Sequence, residues 1–577
     1  MKVLVLGGYG TFGARLVRLL AAESRLTLVV AGRSSSRAAR FVAQHAVPGG
    51  ATLEPTMLDR RGDLDGALER LEPAVLVDAS GPFQDYGDDA YRVVEACLRH
   101  RVHYLDLADG ADFVSGIARH DAQARKQGIF AISGVSTLPA LSFAVVRHLS
   151  EDCSPRIEPR SIVAGIAPSP YAGVGPNVVR AILGYAGKPV RRWDGGREAE
   201  GTGLVDSMTF SIAPPAGVPL GPRRFSLVDV PDYRLAPASC PQLQAIWIGA
   251  APAPSALHRA LSMLARLVQL RMLPSLVPLA RLAHWTCDHI RWGEARGGMF
   301  VRVAGRTAEG EDIERTWHLV AEGDDGPFIP SMGVAVLLQR LLAGQQLPRG
   351  ARPCTSDLTL ADYEAFFAAR NITHGTRSVR TTRDGPVYER VLGSAWRGLP
   401  DPIRRLHGER GEREFDGIVR VERGRGIAFI AGTLAGFPAS GDEMPLHVAF
   451  EADTGLERWV RDFGTRRVRS VQWAGRAGAE GLLCERMGPM GLRMALVVEG
   501  ARLRFVLRGW NFLGVPMPRF LGPTVDSWEE ASGGDVRFLV EIGHPLIGMI
   551  VRYGGTHQLR ATSPGDVRHE ATQSSVM

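Results

Sequence analysis

The chain has 577 residues, of which 45% are hydrophobic and 22% are charged, and its formal net charge is +7. This is the composition of a soluble globular protein, and the length suffices for roughly three or four domains. The basic residues are spread along the chain without a cluster or an aromatic-interleaved strip, which argues against a nucleic-acid partner.

No window of about 18 uncharged apolar residues occurs, so no transmembrane helix is expected. The apolar stretch near the N-terminus turns into glycines within a few residues and lacks a cleavage site, which argues against a signal peptide. The 6 cysteines are scattered without CxxC spacing, as in free thiols. The sequence therefore predicts a cytoplasmic protein.

The first elements are a short apolar strand at 2–6, a glycine-rich loop and a helix that begins near residue 13. Gly8, Gly10 and Gly13 have G-x-G-x-x-G spacing, which in this context is typical of a dinucleotide-binding site. Gly8 would permit a tight turn, Gly10 a close approach of the pyrophosphate, and Gly13 close packing of the helix. The alternative is a glycine-rich loop of an α/β domain without a ligand.

The second predicted strand, 26–31, indicates which dinucleotide binds. NAD sites usually end this strand with a carboxylate that bonds the ribose hydroxyls, but no Asp or Glu occurs between Glu23 and Glu54. Arg33 and Ser34 occupy the strand end instead, followed by further serines and Arg37, which suits a 2′-phosphate. The sequence therefore predicts NADP(H), with a solvated Arg/Ser loop as the alternative.

Strands and helices continue to alternate through the N-terminal part of the chain. We expect helices near 37–45, 62–71, 88–101 and strands near 51–54, 74–80, 102–109 and 128–133. This alternation predicts a Rossmann-type doubly wound parallel sheet over residues 1–145. The turn Gly81-Pro82-Phe83 follows the 74–80 strand, at the sheet edge where such folds hold ligands.

The pattern changes after residue 146. Strand-like segments with helices near 177–186, 254–286 and 331–344 predict an α+β second domain over 146–375, and 371–385 reads as a linker. Many short alternating segments then predict a mainly antiparallel β domain over 386–560, with a hairpin at 497–503.

Several of these segments together resemble a known family. The loop GGYGTFG, VDASGPF (77–83), HYLDLAD (103–109) and GVSTLPALS (134–142) resemble the NADP-binding domain of the saccharopine dehydrogenase family, and the resemblance extends over about the first 360 residues. LHGERGEREFDGIVRVERG, LERWVRDFG and FLGVPMPRFLGP resemble the domain called domain of unknown function 4166.

The resemblance implies an NADP(H) oxidoreductase that reduces imines or oxidises secondary amines, with a lipid branch similar to trans-acting enoyl reductases. It implies roles in cofactor binding for Gly8, Gly10, Thr11, Phe12, Gly13, Arg33, Ala79, Gly81 and Pro82. Of these, Arg33 would bind the 2′-phosphate. The chain has no clear counterpart of the arginine motifs that bind the substrate carboxylate, so saccharopine itself is not the expected substrate.

The catalytic group is less well defined. Asp106 and Asp109, three residues apart at a strand end, could present carboxylates towards a basic nitrogen, and Tyr171 lies in a turn. The favoured alternative is that His103 and Asp106 satisfy backbone groups at the strand end. A second cluster, His284, Cys287 and His289, matches no common zinc set, and no metal is predicted.

The stretch 254–285 is unusual because no Asp or Glu occurs between Asp232 and Asp288. Its polar residues form one narrow stripe on an otherwise apolar helix: Arg259, Ser262, Arg266 and Gln269. Such a helix is expected to be covered by the rest of the protein, by a second subunit or by an anionic membrane.

Together these features predict an oxidoreductase that transfers hydride to or from a C=N, C=C or C=O bond. The expected substrate is a small molecule of apolar or lipid-derived character. A different class stays open: a non-catalytic NADP(H)-binding sensor or scaffold whose C-terminal β domain binds a partner.

Overall fold

The computed structural model describes residues 1–173, 175–215, 217–252, 254–289, 291–380, 385–408, 412–453, 455–476 and 479–559. The chain divides into two compact units, 1–382 and 383–577. Each unit has its own core of buried apolar side chains.

The strands of the first unit are β1 Lys2–Leu6, β2 Thr27–Gly32, β3 Thr52–Met57, β4 Val75–Asp78, β5 His103–Asp106, β6 Phe130–Ser133, β7 Glu158–Ala167, β8 Pro189–Asp194, β9 Arg197–Thr202, β10 Ser207–Phe210, β11 Arg223–Leu227, β12 Ala245–Ala250, β13 Arg296–Arg306, β14 Asp312–Glu322, β15 Gly350–Pro353 and β16 Ile372–Arg380. Its helices are α1 Gly13–Leu20, α2 Ser35–His45, α3 Leu64–Leu71, α4 Arg92–His100, α5 Ala111–Gly116, α6 Asp121–Gln127, α7 Ser142–Arg147, α8 Pro176–Tyr185, α9 Asp232–Ser239, α10 Ser255–Gln269, α11 Ala280–His289, α12 Ile329–Leu342 and α13 Ala361–Ala368.

The first sheet is parallel, with strand order β3-β2-β1-β4-β5-β6-β15. Strands β1 and β4 are uninterrupted apolar runs and almost wholly buried, as expected where helices cover both faces of a parallel sheet. The order β3-β2-β1-β4-β5-β6 is that of a dinucleotide-binding sheet, so the predicted Rossmann-type fold is confirmed. The edge strand β15 comes from far along the chain and pairs with β6.

The second sheet is mixed, which confirms the predicted α+β character of this part of the chain. Its strand order is β10-β11-β12-β7-β13-β14-β16, with β8 and β9 attached through β12. Strand β12 runs parallel to β7, and β13 and β14 form a long antiparallel pair. Helix α12 is buried along most of its length, so the core helix predicted at 331–344 is confirmed.

The expected linker at 371–385 is wrong for residues 372–380, which form strand β16 on the edge of the second sheet. Glycine, arginine and threonine suggested a loop, but Thr373, Thr376 and Val379 are β-branched residues that suit a strand. The buried Arg377 guanidinium donates to the carbonyl of Ala213, which holds the strand against the preceding loop. Residues 381–384 lie outside the described part of the chain.

The apolar stretch 254–286 contains two helices, α10 and α11, separated by a segment with Pro274 and Pro278. Part of the predicted polar stripe is buried, because Ser262 faces inwards while Arg259 and Arg266 are exposed. The buried face of α10 packs near α8. Ser262 therefore lies on the buried face of α10 together with His258, whose Nε2 hydrogen-bonds with Ser226 Oγ of β11 over 2.9 Å.

The second unit begins with two helices and continues as an antiparallel barrel. Its helices are α14 Val387–Leu392, α15 Asp401–Gly408 and α16 Ile427–Leu434; its strands are β17 Glu412–Arg423, β18 Gly441–Asp453, β19 Leu456–Asp462, β20 Arg467–Ala474, β21 Leu482–Met487, β22 Met490–Glu499, β23 Arg502–Phe512, β24 Val515–Met517, β25 Thr524–Ser532, β26 Asp535–His544 and β27 Gly548–Leu559.

Consecutive strands of this unit pair along the chain, and two long-range pairings close the barrel. Strand β17 pairs with β27, and β23 pairs with both β22 and β25, while β24 lies outside the ring. The predicted antiparallel β domain is confirmed. So is the hairpin at 497–503, where Gly500 occupies the turn with φ of 61°.

Candidate cofactor site and active site

The glycine loop after β1 has the shape of a phosphate cradle. The amide of Gly10 donates to the carbonyl of Gly7 over 2.8 Å, which closes the turn. Gly7 has φ of 80°, so the left-handed position falls on Gly7 rather than on Gly8. A Cβ on Gly7 would lie 2.6 Å from the carbonyl oxygen of Ala79. The loop is thus held against the carboxyl end of β4.

Gly10 and Gly13 leave space for different neighbours. A Cβ on Gly10 would meet the Gly7 carbonyl oxygen at 3.0 Å and otherwise open space. A Cβ on Gly13 would clash with that same carbonyl, so α1 can begin here only with a glycine. No side chain caps the N-terminus of α1, where Phe12 is the capping residue and Thr11 precedes it. The amide of Ala14 donates to the carbonyl of Gly10 over 3.0 Å, so the loop leads directly into the first turn of α1.

Tyr9 connects this loop with the end of β2. Its ring lies against Gly32, and its hydroxyl accepts the amide N–H of Ser34 over 2.8 Å. The Arg37 guanidinium lies over the same ring, 5.0 Å from its centroid. Arg33 is exposed beside them, and the Ser34 hydroxyl caps α2 by accepting the amide of Arg37. The two halves of the predicted cofactor site therefore meet at a basic corner, and no Asp or Glu occurs in the sequence between Glu23 and Glu54.

The segment between β7 and α8 crosses the same sheet edge. A Cβ on Gly175 would touch the hydroxyl of Thr11, and Asn177 donates from Nδ2 to the carbonyl oxygen of Gly81 over 2.8 Å. Ala79, Gly81 and Pro82 are all partly buried along this edge. The sequence-predicted residues of the loop and of the β4 edge are thus brought together, with a segment from the mixed-sheet region beside them.

Asp106 lies inside the protein. Its Oδ1 accepts the amides of Gly134 over 2.7 Å and of Ala108 over 3.0 Å, so it joins the ends of β5 and β6. Burial raises the pKa of this carboxyl to about 7, although the backbone amides oppose that rise. His103 is likewise engaged, because its Nδ1 accepts the amide of Phe130 over 3.2 Å.

Asp109 differs from Asp106 because part of its side chain reaches solvent. The protein around the carboxyl is nevertheless dense enough to weaken its hydration. Its Oδ1 accepts the Gln84 side-chain amide over 2.9 Å. Desolvation raises the pKa of Asp109, and the hydrogen bond from Gln84 partly offsets that rise. The pKa of Tyr185 is raised by burial and then by the charges of Asp109 and Asp229, so these groups lie near one another. Arg234 and Arg191 lie in the same neighbourhood, since their charges oppose the rise that burial causes in the pKa of Asp229. The nearness of Asp229 to Asp109 was not predicted from the sequence.

Tyr171 lies on the segment between β7 and α8 with an exposed side chain, and its amide donates to Ser169 Oγ over 3.2 Å. Within the described ranges, no hydrogen bond joins the Tyr171 hydroxyl to Asp106 or Asp109. Among the described residues, no group of three His, Cys, Asp or Glu side chains is arranged to hold a metal ion. His289 Nδ1 hydrogen-bonds with the carbonyl of Trp285 over 2.9 Å.

All the cysteines are free thiols. In the described ranges, no helix is both long enough and apolar enough to cross a bilayer.

Two residues beside the predicted cofactor site, Tyr9 and Asn177, were not predicted from the sequence. Tyr9 sits inside the glycine motif at a position that the motif leaves free, and only the contact with Gly32 shows its role. Asn177 comes from a region with no recognisable motif. The aromatic residue between two motif glycines was the one available signal, since a ring there must pack against the neighbouring strand end.

Comparison with known proteins agrees with this geometry. Residues 3–132 match the family described as "Saccharopine dehydrogenase NADP binding domain", and residues 399–556 match "Domain of unknown function (DUF4166)". No curated protein matches the chain.

Matches among solved structures include the apo form of histidine-tagged saccharopine dehydrogenase (L-Glu forming) from Saccharomyces cerevisiae. It is 13% identical, covers 66% of this chain and 99% of its own, and has a TM-score of 0.47. A Gfo/Idh/MocA family oxidoreductase from Vibrio cholerae is 10% identical over 60% of this chain and 91% of its own, with a TM-score of 0.27. GenD2 from gentamicin A biosynthesis, solved with NAD, is 14% identical over 56% of this chain and 72% of its own, with a TM-score of 0.25.

The parallel sheet, the glycine loop and the family match support an NAD(P)-dependent oxidoreductase that uses a nicotinamide dinucleotide as its cofactor. Residues 3–132 are similar to the NADP-binding domain of the saccharopine dehydrogenase family, and residues 399–556 are similar to domain of unknown function 4166.

Proposed function

We propose that the protein is an NADP(H)-dependent oxidoreductase that transfers hydride to or from a C=N, C=C or C=O bond of an apolar substrate. The observation that carries the cofactor preference is the basic corner at the end of β2. Arg33 is exposed at this strand end, and the Arg37 guanidinium lies over the Tyr9 ring. NAD-specific sites place a carboxylate at the same strand end. A guanidinium pair suits a dianionic 2′-phosphate.

The pyrophosphate is proposed to lie over Gly8, Gly10 and Gly13, against the first amides of α1. Two observations support this assignment. There is open space beside Gly10, and no described side chain caps the N-terminus of α1, where Phe12 is the N-cap residue. Thr11 and Phe12 then contribute backbone amides, while Ala79, Gly81 and Pro82 line the neighbouring sheet edge. The bound cofactor would supply the hydride as NADPH or accept it as NADP⁺.

Asp109 is the best candidate for the proton donor or acceptor. It is solvent-accessible at the carboxyl edge of β5, and its raised pKa favours a protonated form at higher pH than an ordinary aspartate. We propose that Asp106 fixes the backbone at the strand ends and does not contact the substrate, because its Oδ1 already accepts hydrogen bonds from two backbone amides. Tyr171 is the weaker candidate, since its exposed ring lies on the segment that crosses the sheet edge.

The cofactor proposal is tested by calorimetric titration of the full chain with NADPH and NADH. The parent is expected to bind NADPH at least tenfold more tightly, because a charge-assisted contact is worth about 1.5–3 kcal/mol. Arg33→Asp should remove that preference. Arg40→Asp is the matched control, since it makes the same charge change on α2 away from the strand end. Equal affinities in the parent, or equal losses in both variants, would refute the assignment.

An apolar substrate or surface partner is supported by the region around α10 and α11. Its exposed apolar side chains include Met263, Leu270, Met272, Leu282, Trp285 and Trp292. Since an exposed apolar patch of this kind usually marks an interface, we propose that it meets a second copy of the chain or an anionic membrane.

One observation favours the alternative of a cofactor-binding sensor. Asn177 is hydrogen-bonded to the Gly81 carbonyl, so part of the sheet edge is covered by protein. Screening NADPH oxidation with imines, enoyl thioesters and keto compounds separates the two functions. Turnover with one class supports the oxidoreductase, and tight NADPH binding without turnover on any of them supports the sensor.

A further inference from the structure

The C-terminal barrel encloses a cavity of about 90 Å³. Most of its wall is aromatic or aliphatic, with contributions from Trp459, Met487, Met494, Phe505, Phe538 and Tyr553. At roughly 30 Å³ per water, this space corresponds to about three water molecules or a small organic group. Side chains therefore fill the barrel incompletely, which is common in closed barrels that hold a ligand.

A polar atom in this wall lacks a hydrogen-bond partner. His557 is 7% exposed and lines the cavity. Its Nδ1 has no hydrogen-bond partner within the described ranges. Buried polar atoms in native proteins are nearly always hydrogen-bonded, so this nitrogen points to a partner that occupies the cavity.

The charges of the wall restrict what that partner can be. Arg461 is the cation; it donates to Ser470 Oγ over 3.0 Å and lies 3.5 Å from Glu485 Oε1. A second carboxylate, Glu529, lines the cavity and pairs with His407. Arg461 is engaged by Ser470 and Glu485, so among the described residues of the wall it has no charge left to neutralise an anionic ligand. The cavity therefore favours an uncharged molecule that donates a hydrogen bond.

The cavity extends to one end of the barrel. Val525, Ile542 and Leu492 line it, and each lies within two residues of its strand's end on that side. The same end carries α16, because the amide of Gly424 donates to Ile550 O, where β17 ends and β27 begins. His544 and Leu521 also meet there.

This end is unusually apolar. Its exposed apolar side chains are Ile427, Phe429, Ile430, Leu434, Phe512, Leu513, Val515, Phe520, Leu521 and Leu546. The segments 424–441, 512–525 and 543–551 contain no Asp or Glu. Contact with hydrocarbon is more favourable for such a surface than contact with water. The surface is therefore suited to bind an alkyl chain that extends out of the cavity.

We propose that the interior of the C-terminal barrel binds an uncharged amphiphile, with a hydroxyl group beside His557 and an alkyl chain directed to the apolar end. The hydroxyl donates to His557 Nδ1. The first methylenes occupy the cavity, and the rest of the chain lies along the surface formed by α16 and the neighbouring turns. This binding is independent of the dinucleotide site.

The test is calorimetric titration of the full chain with 1-alkanols from butanol to decanol, and with alkanoates of matched length at pH 8. We expect one alkanol per chain, with affinity rising about fourfold for each buried methylene. Alkanoates should bind at least tenfold more weakly. Absence of saturable alkanol binding, as in a cavity that holds only water, would overturn the proposal. So would equal affinity for alkanols and alkanoates.

A pair of variants locates the site. Ser527 is buried and lines the cavity, so Ser527→Leu should fill it and reduce decanol affinity more than tenfold. Ser532→Leu makes the same change at an exposed position of the same strand and should leave affinity unchanged. Circular dichroism checks that both variants are folded. A folded Ser527→Leu variant with unchanged affinity would refute the location, and the parent titrations remain decisive if it fails to fold.

Discussion

Replacing Asp106 with asparagine separates a structural carboxyl from a catalytic one. The side chain is fully buried, and its Oδ1 accepts the amides of Ala108 and Gly134. Asparagine keeps an acceptor oxygen at that position, and its amide nitrogen takes the place of Oδ2. The Ser133 hydroxyl lies near the carboxyl and can accept from that amide nitrogen, so the exchange removes titration while preserving the two backbone contacts.

The expected effect depends on pH. The pKa of Asp106 is about 7 in the folded protein, whereas an aspartate in the unfolded chain has a pKa near 4. Between these values the folded state keeps a proton that the unfolded state has lost, so the parent's free energy of unfolding falls as pH rises. At 1.36 kcal/mol per pH unit, the fall between pH 5 and pH 8 is about 3 kcal/mol. The asparagine variant lacks this dependence.

The assay is urea unfolding of the full chain at pH 5, 6, 7 and 8, followed by circular dichroism. The stability of Asp106→Asn relative to the parent should rise by about 3 kcal/mol from pH 5 to pH 8. Asp88→Asn is the control, because that carboxylate is exposed and its variant should track the parent. A constant difference between Asp106→Asn and the parent would refute the reasoning.

Three further outcomes are expected. Gly10→Val should abolish NADPH fluorescence enhancement without unfolding the protein, since its side chain enters the open space of the loop; Gly221→Val, also at an unobstructed position, should bind normally. Exchange of Arg259 and Arg266 for glutamate should abolish co-sedimentation with anionic liposomes if α10 meets a membrane, and failure of the parent to sediment at low salt would leave a second subunit. Asp109→Asn should lower kcat about 100-fold with unchanged NADPH affinity on the substrate class found by screening, and should remove the corresponding limb of the pH profile; an unchanged profile would exclude it as the proton donor.

The N-terminal fold was predictable because its signals are local. A parallel strand buried on both faces needs an unbroken apolar run such as 3–6, and the glycine spacing after it restricts the turn. The hairpin around Gly500 was predictable for the same reason, since alternation and turn residues stand next to each other. These patterns require no knowledge of distant contacts.

Other features depend on contacts between distant segments. Strand β16 contains Gly375 and Arg377 and resembles a loop in composition, yet pairing with β14 makes it a strand. Ser262 belongs to a polar stripe by periodicity but lies on the buried face of α10. Asn177 reaches the Gly81 carbonyl across 96 positions, a contact that no local pattern encodes.

Strand β15 has a consequence for biosynthesis. Gly350 pairs with Phe130 in the parallel sheet, so the outer side of β6 is covered only after more than two hundred further residues have been synthesised. A nascent chain that stops near residue 145 would expose the hydrogen-bonding groups of β6 as an open edge, which is prone to association with other chains. Completion of the nucleotide-binding layer during translation is therefore delayed by the whole intervening region, and a fragment excised at that point should be aggregation-prone.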